Sequence, residues 1–254
     1  MIKNEILALI IPIYYEEKNI PDLLDEISKK IKIPIKLYFV YDLEEDPTLV
    51  VLKSLLKKYN LNFSLIKNIY GRGALNAIRT GIEIFEEEAC VIVMGDCSDD
   101  LSSINGMYGL FCQGFHLVCA SRYMRNGKQI GGSVLKRLLS YTAGISLYLF
   151  TSVPTHDPTN SFKLYSKKLT KKISIESKGG FEVGLEILTK AHILNFSISE
   201  VPTIWKDRYE GTSKFKLFRW MPNYLKWYFI LLFKRPFFLK RKKIIYNKIR
   251  PVGY

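Results

Sequence analysis

Apolar residues along this chain fall into short runs separated by amphipathic stretches, and that alternation predicts strands and helices in turn. Glu5–Ile13 is a continuous aliphatic run, as expected of a strand buried on both faces. Ile20, Leu23, Leu24, Ile27 and Ile31 then recur at helical spacing. Ile35–Tyr41 reads as a second buried strand, followed by a helix marked by Leu49, Leu52, Leu55 and Leu56. Asn62–Ile66 is a third strand, Gly71–Phe85 a helix, and Cys90–Met94 a fourth strand. Farther on, Phe115–Ala120 and Ser197–Val201 read as strands, Ser133 to about Phe150 and Phe181–Leu194 as helices, and Asp157–Tyr165 as a loop entering a short extended run. Strands alternating with helices imply an α/β fold with a mostly parallel sheet covered on both faces.

The polar residues that end these runs carry the chemistry. Val91-Ile92-Val93-Met94 stops at Gly95-Asp96-Cys97-Ser98-Asp99-Asp100, so a buried strand delivers three carboxylates to its C-terminal edge. In an open α/β sheet ligands bind at that edge, and clustered carboxylates there suit a hard divalent cation holding a diphosphate. The second strand also ends in acids, Asp42 to Asp46. Gly71-Arg72-Gly73 opens a helix and exposes backbone N–H groups to an anion, but the dinucleotide fingerprint fails because its third glycine would be Asn76. Lys136, Arg137 and Ser140 crowd the start of the helix at Ser133. Cations there oppose the helix dipole, which an anionic partner would relieve; a solvated basic face is the alternative.

At 254 residues and 48% hydrophobic the chain can bury a sizeable core, and its formal charge of +14 makes its surface attractive to polyanions. No nucleic-acid motif accompanies that charge, so nucleic acid is not expected as a partner. Cys90, Cys97, Cys112 and Cys119 form no CxxC pair, and His116, His156 and His192 make no coherent site, so no zinc pattern is present. The first residues show no signal peptide, and the longest apolar stretches are too short to span a bilayer. A cytoplasmic protein is expected. From Phe215 to Phe238 aromatics alternate with Lys and Arg, ahead of Lys240-Arg241-Lys242-Lys243, and Trp205, Trp220 and Trp227 lie in or near this region. We read it as an interfacial segment on an anionic membrane surface, with a partner-binding helix as the alternative.

Six ordered motifs over about residues 5–215 together resemble the family 2 glycosyltransferases of GT-A fold, and within them the dolichyl-phosphate mannose synthase-like, polyprenyl-phosphate branch. Ile11-Pro12-Ile13-Tyr14-Tyr15-Glu16-Glu17-Lys18-Asn19-Ile20 is similar to IPxYNExxNI, with Tyr15 in place of Asn. Val40-Tyr41-Asp42 to Thr48 is similar to VDDxSxDGT, and Gly71 to Gly81 to the family's glycine-bearing helix start. Met94-Gly95-Asp96 falls on the DxD motif with its first Asp replaced, so Asp99 or Asp100 would supply the missing metal ligand. Asp157 to Tyr165 resembles DxTSGFRLY. Glu200-Val201-Pro202, followed by Asp207 to Lys214, resembles EVPxxxxxRxxGxSK.

The resemblance implies a GT-A domain over 1–214 with a basic aromatic segment over 215–254, acting peripherally at the inner face of the membrane. It implies a nucleotide-sugar donor held by Pro12, Tyr14, Glu16, Asp42, Gly71, Arg72 and Asp96, with Asp46 supporting the Asp42 loop. Mg²⁺ or Mn²⁺ would sit on Asp96 and Asp99, and a polyprenyl-phosphate acceptor on Arg122, Lys136, Ser140, Arg208 and Lys214. Asp96, Asp99, Asp157 and Arg208 would carry the catalysis, and in-line displacement would invert the anomeric centre. Two rivals stay open: transfer to a saccharide hydroxyl with Asp99, Asp157 or Glu182 as base, and a nucleotide-sugar-binding protein without catalysis.

Overall fold

The computed structural model describes residues 6–59, 61–207 and 217–234. Its elements in chain order are β1 (Leu7–Ile13), α1 (Ile20–Lys30), β2 (Ile35–Tyr41), α2 (Pro47–Tyr59), β3 (Phe63–Lys67), α3 (Ala74–Ile84), β4 (Ala89–Ile92) and α4 (Ser103–Cys112). There follow β5 (Leu117–Ser121), β6 (Lys128–Ile130), α5 (Val134–Thr151), β7 (Lys163–Ser166), α6 (Lys167–Thr170), α7 (Val183–Ile193), β8 (Ile198–Pro202), β9 (Ile204–Lys206) and α8 (Leu217–Lys234).

Seven strands form one sheet in the order β3-β2-β1-β4-β7-β5-β8. All neighbours are parallel except β7, which runs antiparallel to β4 and β5. Every residue of β1 is buried, and its side chains alternate between two cores as a period of two requires. Leu7, Leu9, Ile11 and Ile13 pack with α1, α2 and α4, whereas Ala8 and Ile10 pack with α3, α7 and the inner faces of α5 and α8.

The topology gathers the functional segments. Parallel β1, β2, β4 and β5 all end on one edge, which brings together the chain after Ile13, Tyr41, Ile92 and Ser121. Because β7 runs the other way, the segment that precedes it, Asp157–Ser161, arrives at that same edge. A separate two-stranded parallel sheet of β6 and β9 pairs Gln129 with Trp205 and was not foreseen from the sequence.

The described part of the tail differs from the expected interfacial belt. Trp227 is 3% exposed and Leu231 fully buried, both in the core with α7, because α8 packs against α7 and α5. Trp220 packs at a tilt against Phe181, and Trp205 lies on β9. The tryptophans are therefore engaged by the fold. Among the described residues no helix is long and apolar enough to cross a membrane.

Candidate active site

Along the β1–β2 part of the edge, Asp46 is 1% exposed and acts as a hub: its carboxylate accepts from Tyr15 N and Thr48 N, both at 2.9 Å. Thr48 Oγ1 in turn accepts from Glu16 N, so the loops after β1 and β2 are locked together. Asp42 accepts from Asn68 Nδ2 and from Gly73 N, both at 2.8 Å, tying the end of β2 to the entrance of α3. Tyr14 and Tyr15 stay exposed and meet edge to face, with Tyr15 in the left-handed region at φ 55°. Gly71 and Arg72 are exposed just before α3. Pro12 is buried within β1, whereas Tyr14, Glu16, Asp42, Gly71 and Arg72 belong to one hydrogen-bonded set of strand-end loops. Asn68, which the sequence did not single out, cross-links it.

The acid loop after β4 resolves which carboxylates face the cleft. Asp96 Oδ1 accepts from Ser98 Oγ at 2.7 Å and from Ser98 N at 3.2 Å. Asp99 is 7% exposed, lines the cleft, and its buried Oδ1 has no hydrogen-bond partner among the described residues. Burial first, and the charge of Asp96 second, push its carboxyl up to about 7. Asp100 turns away: it accepts from Lys30 Nζ at 3.1 Å and from Ser102. The loop is stitched to β9 by Asp100 N donating to Ile204 O and Lys206 N donating to Ser98 O, with Asp99 bridging Trp205.

A divalent cation fits this arrangement. Asp99 Oδ1 is a buried carboxylate oxygen that lacks a partner among the described residues, and Asp96 lines the same cleft. Among the described residues no three His, Cys, Asp or Glu groups converge as a cage, and Met94 lines the cleft where a further acid was expected. Two carboxylates suit Mg²⁺, which is held by one or two acids together with substrate phosphates.

Beyond the acids lies Arg122, just past β5. Its Nε and Nη2 donate to the two oxygens of Asp157 at 2.7 and 2.9 Å, and its backbone N donates to the same carboxylate at 3.0 Å. Nη2 also reaches Ser140 Oγ at 3.1 Å, and Nη1 reaches Gln129 Oε1 at 3.4 Å. Asp157 is fully buried. Burial alone would raise its carboxyl, but the Arg122 guanidinium outweighs it and holds it below the ordinary range.

This corrects two expectations. Asp157 is not a free catalytic carboxylate but the buried anchor of Arg122, and Glu182 is spent accepting from Gly179 N and Gly180 N at 2.8 and 2.6 Å. Arg122 keeps most of its donors occupied and faces the cleft only in part. Lys136 and Ser140 line the same cleft from α5. Arg208 and Lys214 lie outside the described residues.

The cleft itself encloses about 750 Å³. Asp96, Asp99 and Arg122 line it together with Trp205, and α5, α7 and α8 add mainly apolar walls, Leu139, Ala143 and Leu147, Leu185, and Met221 and Leu225, interspersed with Thr142, Ser146, Tyr224 and Tyr228. A hydrogen bond of 2.9 Å between Ser146 Oγ and Tyr228 Oη links α5 to α8. Helix periodicity marked α5 but not α8, and it could not show that two helices far apart in sequence would enclose a trough.

His156, read as structural, anchors the turn before Asp157. Both its N and Nδ1 meet the Glu200 carboxylate, at 2.8 and 2.6 Å, and Tyr148 stacks on its ring. Gly144 of α5 touches this turn so closely that a Cβ would lie 2.1 Å from His156 O. Gly144→Ala is therefore expected to push α5 off the turn and lower Tm by roughly 2–10 °C, as overpacking does, readable by thermal denaturation.

Residues 8–174 match the family model described as glycosyl transferase family 2. The dolichyl-phosphate beta-glucosyltransferase of Dictyostelium discoideum is 27% identical over 225 residues, covering 81% of this chain and 68% of the relative. Glucosyl-3-phosphoglycerate synthase from Mycobacterium tuberculosis, solved with Mn²⁺, UDP-glucose and phosphoglyceric acid, superposes with a TM-score of 0.64 at 13% identity over 90% of this chain and 80% of that one. S. aureus TarS 1-349 superposes with a TM-score of 0.57 at 18% identity, covering 79% and 60%. At such identities the likeness is one of fold.

Proposed function

Since the chain belongs to glycosyl transferase family 2 and is a glycosyltransferase of GT-A fold, we propose that it transfers a sugar from a nucleoside-diphosphate donor to a polyprenyl phosphate at a membrane surface. The observation that carries this reading is the cleft, in which a polar head bearing Asp99, Arg122, Lys136 and Ser140 runs into an apolar trough between α5 and α8. A phosphorylated lipid has that same division between an anionic end and an apolar chain. The relative from Dictyostelium, named for dolichyl phosphate, supports the same acceptor class.

In this reading the nucleotide lies along the strand-end loops from Tyr14 to Asp42, Gly71 and Arg72. Asp96 and Asp99 would hold Mg²⁺ or Mn²⁺, which when bound supplies positive charge to the leaving diphosphate. The acceptor phosphate oxygen attacks C1 of the sugar, the C1–O bond to the diphosphate breaks, and the nucleoside diphosphate leaves with inversion. Because that phosphate is already anionic, it needs cations and alignment rather than a base. Arg122, Lys136 and Ser140 provide both, with Arg208 and Lys214, outside the described residues, as further candidates.

The test is incubation of the protein with polyprenyl phosphate, Mg²⁺ or Mn²⁺ and a panel of nucleotide sugars, with mass spectrometry of the lipid fraction. A lipid heavier by one sugar, lost with EDTA, is the expected result. Nucleoside diphosphate released without a lipid product would favour a saccharide acceptor, and donor binding without turnover would favour the inactive binder.

Membrane contact has its own support. The outer faces of α5 and α8 leave Leu135, Leu138, Leu149, Phe229 and Phe233 exposed on a chain of net charge +14. Apolar side chains and cations together favour an anionic bilayer surface. The double variant Leu138→Glu/Phe229→Glu is expected to reduce co-sedimentation with phosphatidylglycerol vesicles at least about tenfold, since each side chain contributes roughly 1.5–3 kcal/mol when buried.

A further inference from the structure

Trp205 lines the cleft and is half-buried, so part of its indole faces the space open to ligands. Two backbone links set it in place. On one side a β-bridge joins it to Asp99, flanked by Asp100 N donating to Ile204 O at 3.1 Å and Lys206 N donating to Ser98 O at 2.9 Å. On the other it pairs in register with Gln129, whose Oε1 accepts from Arg122 Nη1 at 3.4 Å. Neighbouring strands lie about 5 Å apart. Trp205 therefore stands one strand spacing from the acid that would hold the cation, and one from the residue that meets Arg122. The indole is also confined. A Cβ at Gly132 would lie 3.1 Å from its Cζ3 and 3.4 Å from its Cη2, and Gly132 sits at φ 78°, where a side chain is strained. Glycine lets the chain pass close against the six-membered ring and limits how far it can swing.

An in-line displacement places the sugar between the leaving diphosphate and the attacking phosphate. Acids with a cation serve the first group, and Arg122, Lys136 and Ser140 serve the second. The pyranose between them is uncharged, and one of its faces presents mostly C–H bonds. A flat aromatic surface complements such a face, because it covers the C–H groups and leaves the hydroxyls at the rim free to hydrogen-bond.

We propose that the indole of Trp205 is the platform on which the pyranose ring of the donor stacks, an assignment that rests on the nucleotide-sugar reading of the cleft. The ring holds the sugar, and with it C1, between the acids beside Asp99 and the cations around Arg122. It favours a pyranose with an uninterrupted C–H face and makes no contact with the base.

The test is calorimetry of the full chain in Mg²⁺ with UDP-glucose, UDP-galactose, UDP-N-acetylglucosamine and GDP-mannose, and with UDP and GDP alone. Trp205→Leu keeps apolar bulk but loses the flat face, and Trp205→Phe keeps a smaller one. For the sugar nucleotide that binds best, Trp205→Leu is expected to weaken binding about tenfold and Trp205→Phe by at most about threefold, with the bare nucleoside diphosphate within about twofold of native in both. Native affinity for the sugar nucleotide in Trp205→Leu would overturn the platform and leave the nucleotide-sugar reading intact. An equal loss for the bare nucleoside diphosphate would also overturn it, by marking Trp205 as a support of the acid loop. Binding of UDP or GDP with none of the four sugar nucleotides would do the same, since the pyranose would then have no place in the cleft. Should Trp205→Leu fail to fold, saturation-transfer NMR on the native protein decides. With aromatic protons irradiated, transfer to the C–H protons of one sugar face is expected, and transfer to the base and ribose alone would overturn the platform. A native protein that binds neither nucleoside diphosphates nor sugar nucleotides would overturn the reading itself, and the platform with it.

Discussion

Asp96→Asn is expected to lower kcat by at least about a thousandfold while the protein keeps its fold and its thermal stability. The reasoning starts from charge. A departing nucleoside diphosphate gathers negative charge as its bond to the sugar breaks, and the described part of the cleft offers Asp96 and Asp99 as the acids that would hold a divalent cation against it. Asn is nearly isosteric with Asp and can still accept from Ser98 Oγ, so the loop should hold its shape. What is lost is the charge that binds the cation. Asp99→Asn should behave similarly in turnover, and because Asp99 Oδ1 is buried without a partner among the described residues, this variant should not lose stability. Asp100→Asn is the control. Its carboxylate is committed to Lys30 and Ser102, so turnover should stay within about twofold and stability within about 1 kcal/mol. Steady-state kinetics with titrated Mg²⁺ and Mn²⁺ separates the three. A native kcat in Asp96→Asn would remove the acid loop from the mechanism.

How much of this was legible beforehand depends on how far apart the partners lie in sequence. The buried runs of β1, β2 and β4 announced themselves as aliphatic stretches, and the acids after them followed from the rule that parallel strands deliver ligand groups at one edge. The order of strands did not follow, since nothing local to Lys163–Ser166 says that β7 enters between β4 and β5 and runs antiparallel. That reversal brings Asp157 to Arg122, a pairing across 35 residues that spacing cannot encode. For the same reason Asp157 looked like a free acid. Trp205 and Trp227 looked like membrane anchors because composition reports aromatic content but not direction. Trp205 is turned into the cleft by its pairing with β6, and Trp227 into the core by α7.

Arg122→Ala should cost both activity and stability, and the two losses can be separated. Removing the guanidinium leaves Asp157 fully buried with its strongest partner gone, which typically destabilises a fold by about 3–5 kcal/mol. Turnover should fall about 10²- to 10³-fold, because the acceptor phosphate loses the cation that Asp157 had oriented. The pH dependence carries a definite sign. In the native protein the carboxyl of Asp157 is held below its ordinary value of 3.8, so the pair stabilises the fold above that pH and the contribution is lost as pH falls through the lower folded value. Without Arg122 burial dominates and raises the folded value above the unfolded one. The penalty is then greatest at neutral pH and shrinks on acidification, so the stability gap between variant and native protein should narrow between pH 7 and pH 5 in urea unfolding. Arg122→Met/Asp157→Leu removes both charges and should regain most of the stability, since apolar replacement of a buried pair is often neutral or better. It should regain none of the turnover. If the double variant were active, the pair would be a packing element and the acceptor phosphate would have to be held elsewhere in the cleft.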